Sequence, residues 1–99
     1  MDIEPLSAAR RTDMGFKEQG GVLISNVEGS SFASDIGLAE GDVLMSINRQ
    51  PVNSVADVQR VRAGLKPGDS VMFNVLRQVG RGRQAEWRSF FPSGQLPLK

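Results

Sequence analysis

Two rhythms of apolar residues run along this chain. Val71, Phe73 and Val75 alternate with Met72, Asn74 and Leu76, a period of two that predicts a strand with one face more apolar than the other. Val55, Val58, Val61 and Leu65 recur at helical spacing. Ser54 stands ahead of them as a cap whose hydroxyl serves the backbone N–H three residues on, and Gly64 suits the stop, so a helix is predicted there. Val43 to Asn48 is a strand with little alternation, which implies cover on both faces. Val22 to Val27 is a further strand, entered directly from Gly20 and Gly21.

Weaker signals fill the intervals. Pro5 to Gly15 reads as a short helix, with Pro5 in its first turn and Gly15 past its end. Leu6, Ala9 and Met14 fall near one side of it, interrupted by Arg10 and Asp13. Ser31 to Ile36 makes a briefer helix ended by Gly37, with Phe32 and Ile36 sharing a face. Glu28–Ser30, Ala39–Asp42, Arg49–Pro51 and Lys66–Asp69 are turns. Gln78 to Gln84 is a loop, and Ala85 to Phe91 returns to close a hairpin. No pattern is readable after Pro92, so the expected division is one domain over 1–92 and a tail over 93–99. Helix, strand, short helix, strand, helix, strand, strand: the order predicts a mainly β fold with two principal helices, a partly open antiparallel barrel or sandwich.

Composition removes whole classes of function. The 99 residues suffice for one compact domain. Histidine and cysteine are both absent, which excludes the Ser-His-Asp and Cys-His nucleophile arrangements, disulfides and the usual zinc sites. Asp13, Glu18, Asp35, Glu40 and Asp42 lie scattered, with no spacing that pairs them as acid and base, so neither catalysis nor a cofactor is expected. No apolar run approaches the roughly 20 residues of a membrane span, and the first residues lack the basic start and apolar stretch of a signal peptide. Binding is the better use for the chain. A net charge of +1 favours neither nucleic acid nor an acidic partner. Arg77, Arg81, Arg83 and Arg88 do crowd the last hairpin beside Trp87, Phe90 and Phe91. That leaves a single-stranded nucleic-acid reading to weigh, against Glu86 inside the patch and Phe91 sharing the parity of Trp87 as a core candidate.

Gly20 and Gly21 are either an ordinary turn or a loop that turns bare backbone N–H groups inward toward an anion. Taken as a set, Gly21-Val22-Leu23-Ile24, Gly29-Ser30-Ser31-x-Ala33 and Gly37-Leu38-x-x-Gly41-Asp42-Val43-Leu44-x-x-Ile47-Asn48, followed by Val52 and the Ser54 helix, resemble a PDZ domain. The resemblance runs over roughly 4–91. It is closest to the PDZ domains of bacterial HtrA/Do-type serine proteases, in their circularly permuted order, and the helix from Leu6 to Met14 is similar to the one that precedes the second of them.

The resemblance implies a fold of five or six strands and two helices. It implies capture of C-terminal peptide ends by addition as an extra strand. The family's carboxylate-binding loop maps onto Gln19, Gly20, Gly21 and Val22, with Gly20 standing where an apolar side chain is usual. The groove maps onto Leu23 and Ile24 of the strand and Val55, Gln59 and Arg62 of the facing helix, with Val58 and Val61 turned to the core. Val22, Ile24 and Val55 are open to a core reading as well, and Arg62 either meets a carboxylate or lies solvated over apolar surface. The implied partners are C-termini of unfolded or mistargeted proteins and the protease domain of a longer parent chain, with any oligomer built by that parent, in the periplasm or cell envelope. The rival is an assembly or gating wedge whose groove is unused or occluded, with the Leu6–Met14 helix over the strand edge.

Overall fold

The computed structural model describes residues 2–16, 20–80 and 86–96. Its strands are β1 (Asp2–Pro5), β2 (Val22–Asn26), β3 (Val43–Ile47), β4 (Gln50–Pro51), β5 (Ser70–Val79), β6 (Glu86–Phe90) and β7 (Ser93–Gln95), and its helices α1 (Ala8–Met14), α2 (Phe32–Asp35) and α3 (Val55–Ala63). The sheet runs β1-β2-β3-β5-β6, with β4 paired to β3 and β7 paired to β5, and the strand pairs are antiparallel. The mainly β, open arrangement expected from the apolar patterning is the one found.

The capped helix begins as its sequence requires. The Ser54 hydroxyl accepts from the Asp57 N–H at 3.1 Å, and Val58 and Val61 are buried beneath α3. Gly15 ends α1 in the left-handed region, as its position implied, but α1 starts at Ala8 behind a Ser7 cap and not at Pro5. Pro5 belongs instead to β1, a strand that periodicity did not announce.

Strand β3 is covered on both faces. Leu44 and Ile47 enter the main core while Val43 enters a second cluster with Leu6, Phe16 and Leu23. The register of β3 against β5 shifts between Leu44 and Ser46, and this irregularity lets residues three apart point the same way. Alternation in β5 holds: Val71, Phe73 and Val75 are core, and Leu76 packs on the second cluster. Phe16 meets Trp87 edge to face, with ring centroids 5.0 Å apart, and so fastens the end of α1 to β6.

Two expectations about the last hairpin change. Residues 93–96 are part of the domain and not tail: β7 pairs Ser70–Met72, and Leu96 packs on the main core. Pro92 interrupts the return strand because it has no N–H to give, yet its carbonyl still accepts from Phe73 N–H at 2.8 Å. Phe91 is 59% exposed and is not core.

Candidate functional site

Two backbone groups of the double glycine are already in use. Gly20 and Gly21 both hold positive φ, at 79° and 87°, so both need glycine. The Gly21 N–H donates to the Val52 carbonyl at 2.9 Å, and the Gly20 carbonyl accepts from Arg11 Nη2 at 2.8 Å. A Cβ on Gly21 would stand 2.7 Å from Met45 Sδ and 2.8 Å from Val43 Cγ1. The glycines therefore let the chain press against β3, as an ordinary turn reading requires, and the Gly21 N–H is spent on Val52. Gln19 lies outside the described residues.

Strand β2 is likewise closed. It is hydrogen-bonded to β1 on one side and β3 on the other, and Val22 and Ile24 are fully buried in the main core. Leu23 faces the opposite way, as alternation demands, and is buried in the second cluster. A peptide has no edge of β2 to add to, so the placement of a groove on Val22, Leu23 and Ile24 is corrected. What closes that edge is the strand Asp2–Pro5; the helix Leu6–Met14, offered as the cover in the wedge reading, is not what pairs with it.

The edge that stays open lies one strand further out. Among the described residues β1 has a strand partner only on its β2 side, in the register Asp2↔Asn26, Ile3↔Ile24 and Pro5↔Val22. Helix α3 stands beside β1. Ile3 packs onto the main core, which pins the short strand in place. The helix positions Val55, Gln59 and Arg62 share a side at helical spacing; Val55 is half-buried, and Gln59 and Arg62 are exposed. The three helix residues share one side of α3, and the element nearest that helix among the strands is Asp2–Pro5. Sequence reasoning missed that strand because a single apolar residue, Ile3, sits between Asp2 and Glu4 with Pro5 following.

A pocket of about 230 Å³ lies at the Arg62 end of α3. Phe32, Ile47, Leu65, Phe73 and Leu96 make most of its wall, and Arg62 and Ser31 are its polar lining residues. The Ser31 hydroxyl donates to the Glu28 carbonyl at 2.8 Å and accepts from Ser34 N–H at 3.2 Å. Among the described residues no group of three or more acidic side chains is placed to hold a metal ion.

The motif residues downstream brace this frame. Asp42 is 1% exposed, accepts from Ala39 N–H at 3.0 Å, and takes both Nε and Nη2 of Arg77 at 2.8 and 2.7 Å. The Asp42 carboxylate holds the Arg77 guanidinium above its ordinary pKa through this hydrogen bonding. Asn48 Oδ1 accepts from Met72 N–H at 2.8 Å, and Asn48 and Arg49 both have positive φ in the two-residue turn between β3 and β4. In the Arg-rich hairpin, Arg77 is committed to Asp42 and stacks over Phe90, Arg88 pairs with Glu86, and Trp87 is turned onto Phe16. Arg81 and Arg83 lie outside the described residues. The aromatic platform that single-strand binding needs is thus reduced to Phe90 and Phe91.

An open antiparallel sheet whose short outer strand has one strand partner among the described residues, with a capped helix beside it, is a frame of the PDZ class. The chain belongs to that family: the profile described as "PDZ domain" matches residues 7–86. It is 34% identical over 79 residues to a probable periplasmic serine endoprotease, DegP-like, of Ectopseudomonas mendocina, covering 80% of this chain and 17% of that protein. It is 42% identical over 41 residues to the periplasmic serine endoprotease DegP of Salmonella typhimurium, covering 41% of this chain and 9% of that one. Two solved structures share the fold. The HtrA3 PDZ domain bound to a phage-derived ligand, FGRWV, has a TM-score of 0.64 at 14% identity and covers 95% of this chain and 85% of its own. The HtrA-type protease AlgW with a decapeptide has a TM-score of 0.67 at 23% identity and covers 97% of this chain and 28% of its own. This chain is a PDZ domain, similar to those of the DegP-like proteases, and it spans about a sixth of the length of such curated relatives. Those relatives are named as periplasmic, in line with the cell-envelope placement expected.

Proposed function

We propose that this domain captures the C-terminal ends of peptides by adding them as a strand to the outer edge of β1, in the cleft between β1 and α3. The observation that carries the reading is the free edge of Asp2–Pro5 standing beside the helix side formed by Val55, Gln59 and Arg62. An edge strand presents unpaired N–H and C=O groups that a second extended chain completes. The peptides named with the two structural neighbours support a peptide as the ligand. Main-chain pairing and one buried apolar side chain, less the cost of ordering the peptide, correspond to a dissociation constant on the order of micromolar.

The parent protein we propose is a periplasmic HtrA/Do-like serine endoprotease, in which this domain collects the exposed ends of unfolded or mistargeted proteins and relays their capture to a protease domain. The reading is tested by titrating a labelled sample with FGRWV and following backbone amide signals. Shifts should cluster at Asp2–Glu4 and Val55–Arg62. Silence at β1 and α3 under saturating peptide would sink it and favour the wedge.

A further inference from the structure

The sheet has a second outer strand, at the end opposite β1. Among the described residues β6 has a strand partner only on its β5 side. The two exposed large hydrophobic side chains of the described residues, Phe90 and Phe91, both lie there, and Phe91 is 59% exposed. The pairing of β7 with β5 keeps the register of β6 with β5, so 86–95 forms one edge, interrupted at 91–92.

Which backbone groups face outward follows from one bond. The Pro92 carbonyl accepts from Phe73 N–H, so Pro92 faces β5. Alternate residues of an antiparallel ladder share a direction. Glu86, Arg88 and Phe90 therefore turn their N–H and C=O toward β5, and Trp87, Ser89 and Phe91 turn theirs outward. The N–H that Pro92 lacks belongs to the inner set, so proline does not block the outer edge.

An edge with outward groups is a template for another chain. A second copy suits this one because the strand is complementary to itself about Ser89. Antiparallel pairing with a two-fold axis at Ser89 sets Trp87 against Phe91 of the second copy on one face, and Arg88 against Phe90 of the second copy on the other. The first is an aromatic cross-strand pair and the second a cation beside a ring. An axis at Arg88 would oppose two guanidiniums, and an axis at Trp87 would carry Phe91 past the Glu86 end of the other strand. Strand β1 has no such complementarity, since pairing it with itself gathers Asp2 and Glu4 of both copies.

We propose that this domain associates with a second copy of itself through β6, as a two-fold dimer whose sheets join edge to edge at Ser89. Trp87 is half-buried against Phe16, and its remaining surface meets Phe91 of the second copy. Both β1 edges stay at the outer ends of the joined sheet, so each copy keeps its proposed cleft free. The contact is short, at the low end of specific interfaces, which corresponds to a dissociation constant on the order of 100 µM.

Sedimentation of the chain across a concentration series tests this. The mass should rise from 10.7 kDa toward twice that value between about 10 µM and 1 mM. Trp87 is the sole tryptophan, so its emission should move to shorter wavelength over the same range. Ser89→Pro removes an outward N–H and no bond to β5, and Phe91→Lys removes the aromatic partner. Each should weaken association at least about 10-fold. Phe91→Lys alters an exposed side chain and should melt in dilute solution as the unaltered domain does, so it decides the outcome if Ser89→Pro fails to fold. A mass that stays at 10.7 kDa up to about 1 mM overturns the proposal. So does association that Phe91→Lys leaves unchanged, or that leaves tryptophan emission unmoved, since either places the contact on another surface.

Discussion

Gly21 illustrates how much one missing Cβ can do in this fold. Its left-handed backbone and the 2.7 Å approach that a Cβ would make to Met45 are separate penalties. Gly37 is also left-handed, at φ 97°, but a Cβ there meets nothing within 4 Å. Gly37→Ala should cost about 1–2 kcal/mol, the conformational penalty alone, and Gly21→Ala about 3–4 kcal/mol, in urea unfolding. Equal losses would mean that the close packing against β3 contributes nothing. At this scale the sequence was partly legible. The parity of Val22, Leu23 and Ile24 followed from the pleat, and the core roles of Val58, Val61, Phe73 and Val75 followed from period. The use of the glycines did not, because a turn that receives an anion and a turn that admits a neighbouring strand require the same residue at the same φ. Only the partner of the Gly21 N–H, the Val52 carbonyl, separates them.

Helix α3 was readable as an element because three independent signals agree: cap, period and stop. Its first turn carries a pH dependence as well. Asp57 accepts from Asn53 N–H at 2.9 Å and pairs with Arg60, and these bonds, the backbone one foremost, hold its pKa below the ordinary 3.8. Its contribution is therefore complete at neutral pH and is lost as the pH falls below 3.8 and through the lower folded value. Protection of the Asn53 amide, taken relative to its intrinsic exchange rate, should fall in that window, and Asp57→Asn should remove the pH dependence of that protection. Strand β7 was illegible for the opposite reason. Ser93-Gly94-Gln95 has no strand propensity, and β5 recruits it through backbone alone, with a Cβ at Gly94 barred by Ile36 at 2.7 Å. Ending the chain after Pro92 should then cost about 3 kcal/mol, from lost ladder bonds and the uncovered core under Leu96, as read from the thermal midpoint. A midpoint within error of the full chain would restore the tail interpretation.

Across the whole molecule, the fold and its family were legible, and the cleft we propose lies one strand out from the one expected. The motif set around Gly37–Asn48 is structural, since Asp42 holds the Ala39 N–H of its own turn and the Arg77 guanidinium of β5, and Asn48 holds the Met72 N–H of β5. The strand proposed for recognition has no comparable signature. Its contribution is main-chain hydrogen bonding, which any residue but proline supplies, so Asp2–Pro5 could be assigned only from pairing. A ligand that binds only the assembled cleft stabilises the fold by mass action, about 2.7 kcal/mol at a hundred times its dissociation constant. The melting temperature should therefore climb with peptide concentration, whereas a flat profile at saturating peptide would place binding elsewhere.

Strand β1 is four residues long and has one strand partner among the described residues, through a register that slips between Asp2 and Ile3. If it is the rail on which ligands dock, then the domain is competent only during the fraction of time that the rail is seated. Apparent affinity is the intrinsic affinity multiplied by that fraction. Tension or crowding at the amino end would lower it without touching a single ligand contact. Anything that holds Ile3 down would raise it, which turns four marginal residues into a volume control for the whole module.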